Sequence, residues 1–503
     1  MEDHIPAIIV AVPLLAALLV TGLWWFEQRL LFFLSMIAGV ISFSASARLL
    51  LKILESGTVE YRLGGWAPPF GIVFRIDHLN GLILVIVSLV SLLNLAGTRT
   101  IAKKEFGEKL GPFYALYLLF TTGLLGILLT GDAFNLYVLV EIASLTGYAL
   151  IGLGKGRAPI SGLNYVLMGT IGASLYLLGI GYLYLVTGSL NMTDIARILP
   201  SILPSNVVLM AFILCLSGLF IKMALFPLHS WLPNAYTYSP SLVSSLVAPL
   251  TTKVMIYAMF RITLTVFTYD FAFDSIAVRL PILWLAIVAI IMGSIIALAQ
   301  KRLKKMLSYI IVAEVGYMVG GFWLGNREGM SGAILHVVND AVMTLCVFMA
   351  AAAIVYKLED DRFSALSGIF RKMPCTMAVM VVGGLSFIGV PPTCGFFSKW
   401  YLLMGGIAAG QFAFVAALIF SSLVNVILFF RLFEIGYFKP YAKEITHSQS
   451  HADSYTHSIT RAEAPFDLLV PLVMTAVLLL ILGLFSGEIV TRVVQFAIPR
   501  FIG

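Results

Sequence analysis

Charge is what this chain has least of: Asp, Glu, Lys and Arg make up 11% of its 503 residues, against 60% hydrophobic. A soluble domain carries about 25% charged residues to cover its surface, so a soluble fold is excluded. Cysteine is equally sparse. Cys215, Cys346, Cys375 and Cys394 stand far apart, with no CxxC and no CxxCH. Iron–sulfur ligation and covalent haem attachment need such spacings, and the four read as packing residues. A basic leader is also missing: Glu2 and Asp3 precede the first apolar run, Ile5 to Trp24, where a signal peptide would carry positive charge. That run reads as a retained first helix. The net charge of +7 is spread over short loops rather than clustered on one face, which excludes nucleic acid as a partner.

What is present is a succession of apolar runs, each long enough to cross a hydrocarbon core of about 30 Å. In lipid the backbone must satisfy its own polar groups, so such runs are helices. The expected fold is an all-α polytopic membrane protein of about fourteen spans: 5–24, 30–51, 77–97, 112–130, 133–153, 160–187, 206–230, 240–266, 280–300, 304–324, 330–356, 374–403, 410–437 and 466–490. Alternating sides gathers Arg99, Lys103, Lys104, Lys109, Lys155, Arg157, Lys301, Arg302, Lys304, Lys305, Arg371 and Lys372 on one face of the bilayer. By the positive-inside rule that face is cytoplasmic and both termini lie outside, in a multi-pass protein of the cell membrane. Two loops are long. Residues 55–76, with the turn-rich stretch Gly64 to Gly71, predict an outer cap or short hairpin. Residues 439–465 are polar; their His447, His451 and His457 lack the frame of a metal site and read as solvated.

A charge at the bilayer centre costs several kcal/mol, about 3 on insertion scales. Ionisable residues inside apolar runs are therefore functional candidates: Glu141, Lys222, Lys253, His336 and Lys399, with His229, Glu314 and Asp340 as possible additions. The bland reading of each is an ion pair or backbone contact that fixes helix packing. Arg261 and Arg431 sit toward helix ends and are expected to snorkel to the interface.

Prolines add a second signal. Pro227 and Pro233 follow Lys222, and Pro391 and Pro392 precede Lys399. Proline removes an intrahelical hydrogen bond and breaks a span, and broken helices in corresponding positions of two halves mark transport sites. The seventh and twelfth spans are five apart, which predicts two inverted five-helix repeats, 112–266 and 280–437. They are flanked by helices 1–3 (1–111, with the outer loop) and by a cytoplasmic loop and last helix (438–503). A lysine suits a proton relay, because burial disfavours its charge and a neighbouring carboxylate restores it.

IKMALFPLHSWLPNAY, around Lys222, and GVPPTCGFFSKW, around Lys399, resemble the two signatures of the antiporter-like subunits shared by Mrp-type cation/proton antiporters, respiratory complex I and membrane-bound hydrogenases. The mid-helix Glu141 and the stretch TTKVMIYAMFR fall in the order this family has. The resemblance covers nearly the whole chain. It implies two proton half-channels, with Glu141 and Lys222 as the charge pair of the first, Lys253 connecting, His336 on the central hydrophilic axis, and Lys399 terminal in the second. It also implies other membrane subunits as partners, H⁺ and Na⁺ as the ions carried, and no redox cofactor in this chain. Gly64 to Gly71, followed by Arg75-Ile76-Asp77, is most similar to the D subunit of the Mrp type. The chain departs from the family at three places. Asp340 and Thr344 stand where many relatives carry a histidine and a lysine, and Glu314 stands where glutamine is common. The same design serves a gradient-driven antiporter and the pump module of a redox complex, so both readings stay open. A stand-alone transporter of an organic solute fits less well, because buried proton carriers outnumber sites suited to a bulky solute.

Overall fold

In a computed structural model the described residues are 4–274, 276–439 and 463–499. His447, His451 and His457 lie outside them. Along the chain run α1 (Ile5–Leu23), α2 (Gln28–Ser56), an antiparallel hairpin of β1 (Val59–Arg62) and β2 (Val73–Ile76), α3 (His78–Ala96), α4 (Thr98–Phe106), α5 (Leu110–Leu129), α6 (Ala133–Gly152), α7 (Ala158–Thr187) and α8 (Met192–Ile202). Then come α9 (Asn206–Lys222), α10 (Trp231–Tyr238), α11 (Ser241–Arg261), α12 (Tyr269–Asp274), α13 (Ile276–Leu298), α14 (Leu303–Trp323) and α15 (Arg327–Leu358). The chain continues through α16 (Ile369–Lys372), α17 (Pro374–Ile388), α18 (Cys394–Ala408), α19 (Phe412–Phe438) and α20 (Phe466–Leu484). Among the described residues twelve helical segments are long and apolar enough to cross a membrane, with α9 and α17 as shorter apolar helices.

Two expected spans are interrupted at their prolines. The seventh stops at Lys222, and the chain passes through Ala224, in a left-handed conformation, and the cis Phe226–Pro227 bond before α10 begins. The twelfth stops at Ile388, and Gly389 and the cis Pro391–Pro392 bond lead into α18. Each break frees the last carbonyls of its first half-helix, which in lipid must find donors within the protein. Four further helices lie where loops were expected: α4 in residues 98–111, α8 in residues 188–205, and the short α12 and α16 in residues 267–279 and 357–373. The apolar face of α8 buries Met192, Ile195 and Leu199 at helical spacing.

Burial sorts the helices into an enclosed interior and an outer ring. Every residue of α11 is buried, and α14 and α15 are nearly as enclosed. In contrast α2, α7 and α19 expose large apolar side chains such as Phe33, Ile171, Leu178, Leu423 and Ile427. Small residues let helices approach. A Cβ on Gly218 of α9 would overlap the Gly172 carbonyl oxygen of α7, the close backbone contact that drives helix association in lipid.

Candidate functional site

The buried ionisable side chains occupy neighbouring helices. Lys222 is the last residue of α9, and its Nζ lies 2.8 Å from Glu141 Oε1 on α6. The same ammonium donates to Ser144 Oγ at 2.8 Å and to Tyr148 Oη at 3.4 Å. Its side chain is 3% exposed and that of Glu141 19%. A helix C-terminus presents unpaired carbonyls and a partial negative charge, which favours a cation there. One of the freed carbonyls, that of Ile221, accepts from Trp231 Nε1 at 3.0 Å, so the second half-helix closes the break behind the lysine.

Lys399 belongs to the second interrupted span and is seated differently. It starts from α18 but reaches back to the end of α17, donating to the Phe387 carbonyl at 2.5 Å and to Ser422 Oγ at 3.4 Å, with its Nζ 5.1 Å from the Tyr317 ring centre. Asn425 of α19 donates to the same carbonyl at 3.1 Å. Lys399 thus holds its charge against the C-terminal end of α17, whereas Lys222, itself the last residue of α9, sends its ammonium across to α6.

Between them lie two more acid–base pairs, all four side chains at most 1% exposed. Lys253 Nζ on α11 is 2.8 Å from Asp340 Oδ2 on α15, and Thr344 ties the two, donating to Asp340 Oδ1 at 2.9 Å and accepting from Lys253 at 3.3 Å. One turn before Asp340, His336 Nε2 is hydrogen-bonded to Glu314 Oε2 on α14, and its Nδ1 lies 2.8 Å from Ser398 Oγ, the residue next to Lys399. The structure thus brings Lys253, Asp340, His336, Glu314 and Lys399 into one buried region across α11, α15, α14 and α18. Glu314, Asp340 and Thr344, the three departures from the family pattern, supply its acids and a linking hydroxyl. His229 is not brought in. It is half-buried at the first break, stacked on Phe226, with Nδ1 3.3 Å from its neighbour's carbonyl at Pro227.

The position expected for Arg261 is corrected by the structure. It does not snorkel; its side chain is 8% exposed, and it forms a two-pronged pair with Asp77, Nη1 to Oδ2 at 2.7 Å and Nη2 to Oδ1 at 2.9 Å. Asp77 also caps α3, accepting from the backbone of Leu79 and Asn80. Burial pushes its carboxyl up, but the Arg261 guanidinium and the two backbone donors outweigh this and hold it below the usual carboxylate range. Sequence reasoning also missed Glu105 and Lys304, which look like loop charges. Glu105 accepts from the backbone N–H groups of Ser241 and Leu242 at the start of α11, and Lys304 donates to the Ser239 carbonyl at 2.8 Å. Both line a cavity of about 510 Å³ on the face that carries the basic loops, together with Lys104, Lys155 and Arg302.

Residues 130–425 match a family described as NADH:quinone oxidoreductase/Mrp antiporter, TM. The N subunit of the NADH-quinone oxidoreductase of Desulforudis audaxviator is 40% identical over 509 aligned residues, covering 99% of both chains. The D subunit of the Na⁺/H⁺ antiporter of Bacillus subtilis is 29% identical, covering 84% of this chain and 85% of that one. Among solved structures, a chain of the archaeal membrane-bound sulfane sulfur reductase superposes with a TM-score of 0.87 at 26% identity, covering 98% of this chain and 96% of that one. The chain belongs to the family of antiporter-like membrane subunits shared by NADH:quinone oxidoreductases and Mrp antiporters, whose members work within multi-subunit membrane complexes.

Proposed function

We propose that this chain carries protons sideways through the membrane, along Glu141, Lys222, Lys253, His336 and Lys399, within a complex driven by electron transfer to a quinone. The observation that carries the reading is the pairing of buried bases with buried acids on successive helices. Each pair can hold or release a proton when its partner moves, because burial disfavours an unpaired charge. The pairing also favours H⁺ over Na⁺ as the ion carried here. A hard cation needs several free oxygen ligands, whereas Glu141, Asp340 and Glu314 each face a basic side chain. The bilayer is the plasma membrane, the basic loops are cytoplasmic and both termini lie outside, which fits the loop charges. Residues 112–266 and 280–437 act as inverted repeats, each with its fourth span interrupted.

The redox drive is supported by 40% identity over the whole chain to a quinone reductase subunit, against 29% to an antiporter subunit. A second reading, Na⁺/H⁺ exchange in an Mrp complex, rests on that 29% relative and on the outer hairpin that ends in Arg75-Ile76-Asp77. Purification of the native complex in mild detergent, with subunit identification and iron and nickel assays, separates the two. Iron–sulfur subunits and acidification of proteoliposomes during quinone reduction are expected. Small hydrophobic partners without metal, and proton movement answering only to Na⁺, would overturn the redox drive.

A further inference from the structure

The wholly buried helix α11 carries polar groups from one end to the other. Its first turn, at Ser241, borders the charged cavity on the basic face. Lys253 lies near its middle, and Tyr257 and Arg261 follow at steps of four residues. That spacing places all three on one side of the helix, each about 6 Å further along the axis. Beyond Arg261 stands Asp77, whose side chain is 25% exposed. A straight route from Lys253 to the far surface would therefore run past Tyr257 and Arg261, crossing the sideways path instead of following it.

The hydrogen bonds along this stretch all have the wrong polarity for such a route. A proton relay needs groups that both accept and donate. Arginine has five donors and no acceptor, and it stays protonated in proteins. Arg261 Nε donates to Tyr257 Oη at 3.1 Å, and Tyr257 donates to the Leu128 carbonyl at 3.2 Å. The Tyr257 hydroxyl is thus committed to a backbone acceptor, and the next group outward, Arg261, cannot take a proton; the Thr265 hydroxyl beyond it accepts from Arg261 Nη1 at 3.3 Å. The pair is also oriented: the guanidinium is the inner member, 8% exposed, and the carboxylate the outer. A proton leaving Lys253 meets the positive end first. Stability alone does not account for the arrangement, since a buried ion pair is commonly no better than an apolar pair of similar volume.

We propose that the Asp77–Arg261 pair is a proton block that closes the far end of α11, so that a proton on Lys253 is passed along the bundle and not straight across it. The inference rests on the reading of Lys253 as a proton carrier. A fixed arginine charge as a barrier to protons has a general precedent in selective pores.

The test uses the native complex in proteoliposomes, with a pH gradient imposed in the absence of any driving reaction and an internal dye reporting passive leak. Asp77→Asn removes the anchor but keeps a strong cap for α3. Arg261→Gln removes the block and leaves Asp77 at its wetter position. Either variant should raise the leak on the order of tenfold, and adding Lys253→Met should return it to the wild-type value. A wild-type leak in both assembled variants would overturn the block. So would a raised leak that persists with Lys253→Met, since it would report loosened packing. If Arg261→Gln does not assemble, the double variant Asp77→Asn/Arg261→Gln, which leaves no unpaired carboxylate, decides instead. Lys253→Met by itself, measured during driven transport, tests the carrier reading separately: unchanged transport would remove the carrier and leave the leak result standing.

Discussion

A single charge placed mid-span has to be explained by what stands next to it, and here the neighbours are chemically complementary. Lys222 has Glu141, Lys253 has Asp340, His336 has Glu314, and Arg261 has Asp77. Removing one member of a buried pair leaves the other charge uncompensated, at about 3–5 kcal/mol. Asp340→Asn should therefore destabilise the subunit by an amount in that range, or force Lys253 to shed its proton. A thermal-shift measurement on the purified complex, together with a transport assay, would register either outcome. Glu141→Gln should be milder for assembly, because Glu141 is partly exposed and Lys222 keeps Ser144 and Tyr148. Proton movement should nonetheless fall by about tenfold or more, since an amide cannot alternate between charged and neutral forms; intact transport would argue that Glu141 serves packing alone. Glu141, Lys222, Lys253, His336 and Lys399 were legible in the sequence because each interrupts an apolar run. Asp77, Arg261, Glu105 and Lys304 were not. They stand within a few residues of a span's end, where a charge in sequence looks the same whether it turns to water or inward.

At the scale of elements, the two interrupted spans do the positioning. The first half-helix of one ends at Lys222, whose ammonium reaches Glu141 on α6; that of the other ends where Lys399 places its charge, and its second half folds back against the first. Gly395, in the first turn of α18, allows this in the second span: a Cβ there would overlap the Ser386 carbonyl oxygen of α17. Gly395→Ala should push the halves apart, lengthen the Lys399 contact with the Phe387 carbonyl, and depress proton movement more than it depresses assembly. Transport measured per assembled complex would check this; equal losses in both would mean that the close contact matters for folding only. The breaks themselves could be read from Pro227 and from Pro391-Pro392, since proline cannot continue a helical ladder. The end of the first half-helix could not, because no glycine or proline follows Lys222 directly; the end of α17 is signalled by Gly389, which follows Ile388 in a left-handed conformation. The helix α8 was hidden for another reason. It is short and half-polar, so no hydropathy run marks it, and only Met192, Ile195 and Leu199 at helical spacing betray it.

For the whole molecule the arrangement is an enclosed polar interior inside an apolar ring. Helix α11 is wholly buried, α14 and α15 nearly so, and they hold Lys253, Asp340, His336 and Glu314 between the two lysine-bearing breaks. That layering was only half-legible, because composition shows that the chain lies in lipid but not which helices are enclosed; the enclosed α15 and the more exposed α2 have the same mean hydropathy over an 18-residue window. In the proposed path the two ends must communicate, and the Lys222–Glu141 pair is its first step. The most direct test is the native complex carrying Lys222→Ala, with turnover of the driving reaction and proton movement followed in the same proteoliposomes. The account predicts an assembled complex whose proton movement per turnover is lost or reduced by at least about tenfold. A wild-type ratio of protons to turnover in that variant would contradict it.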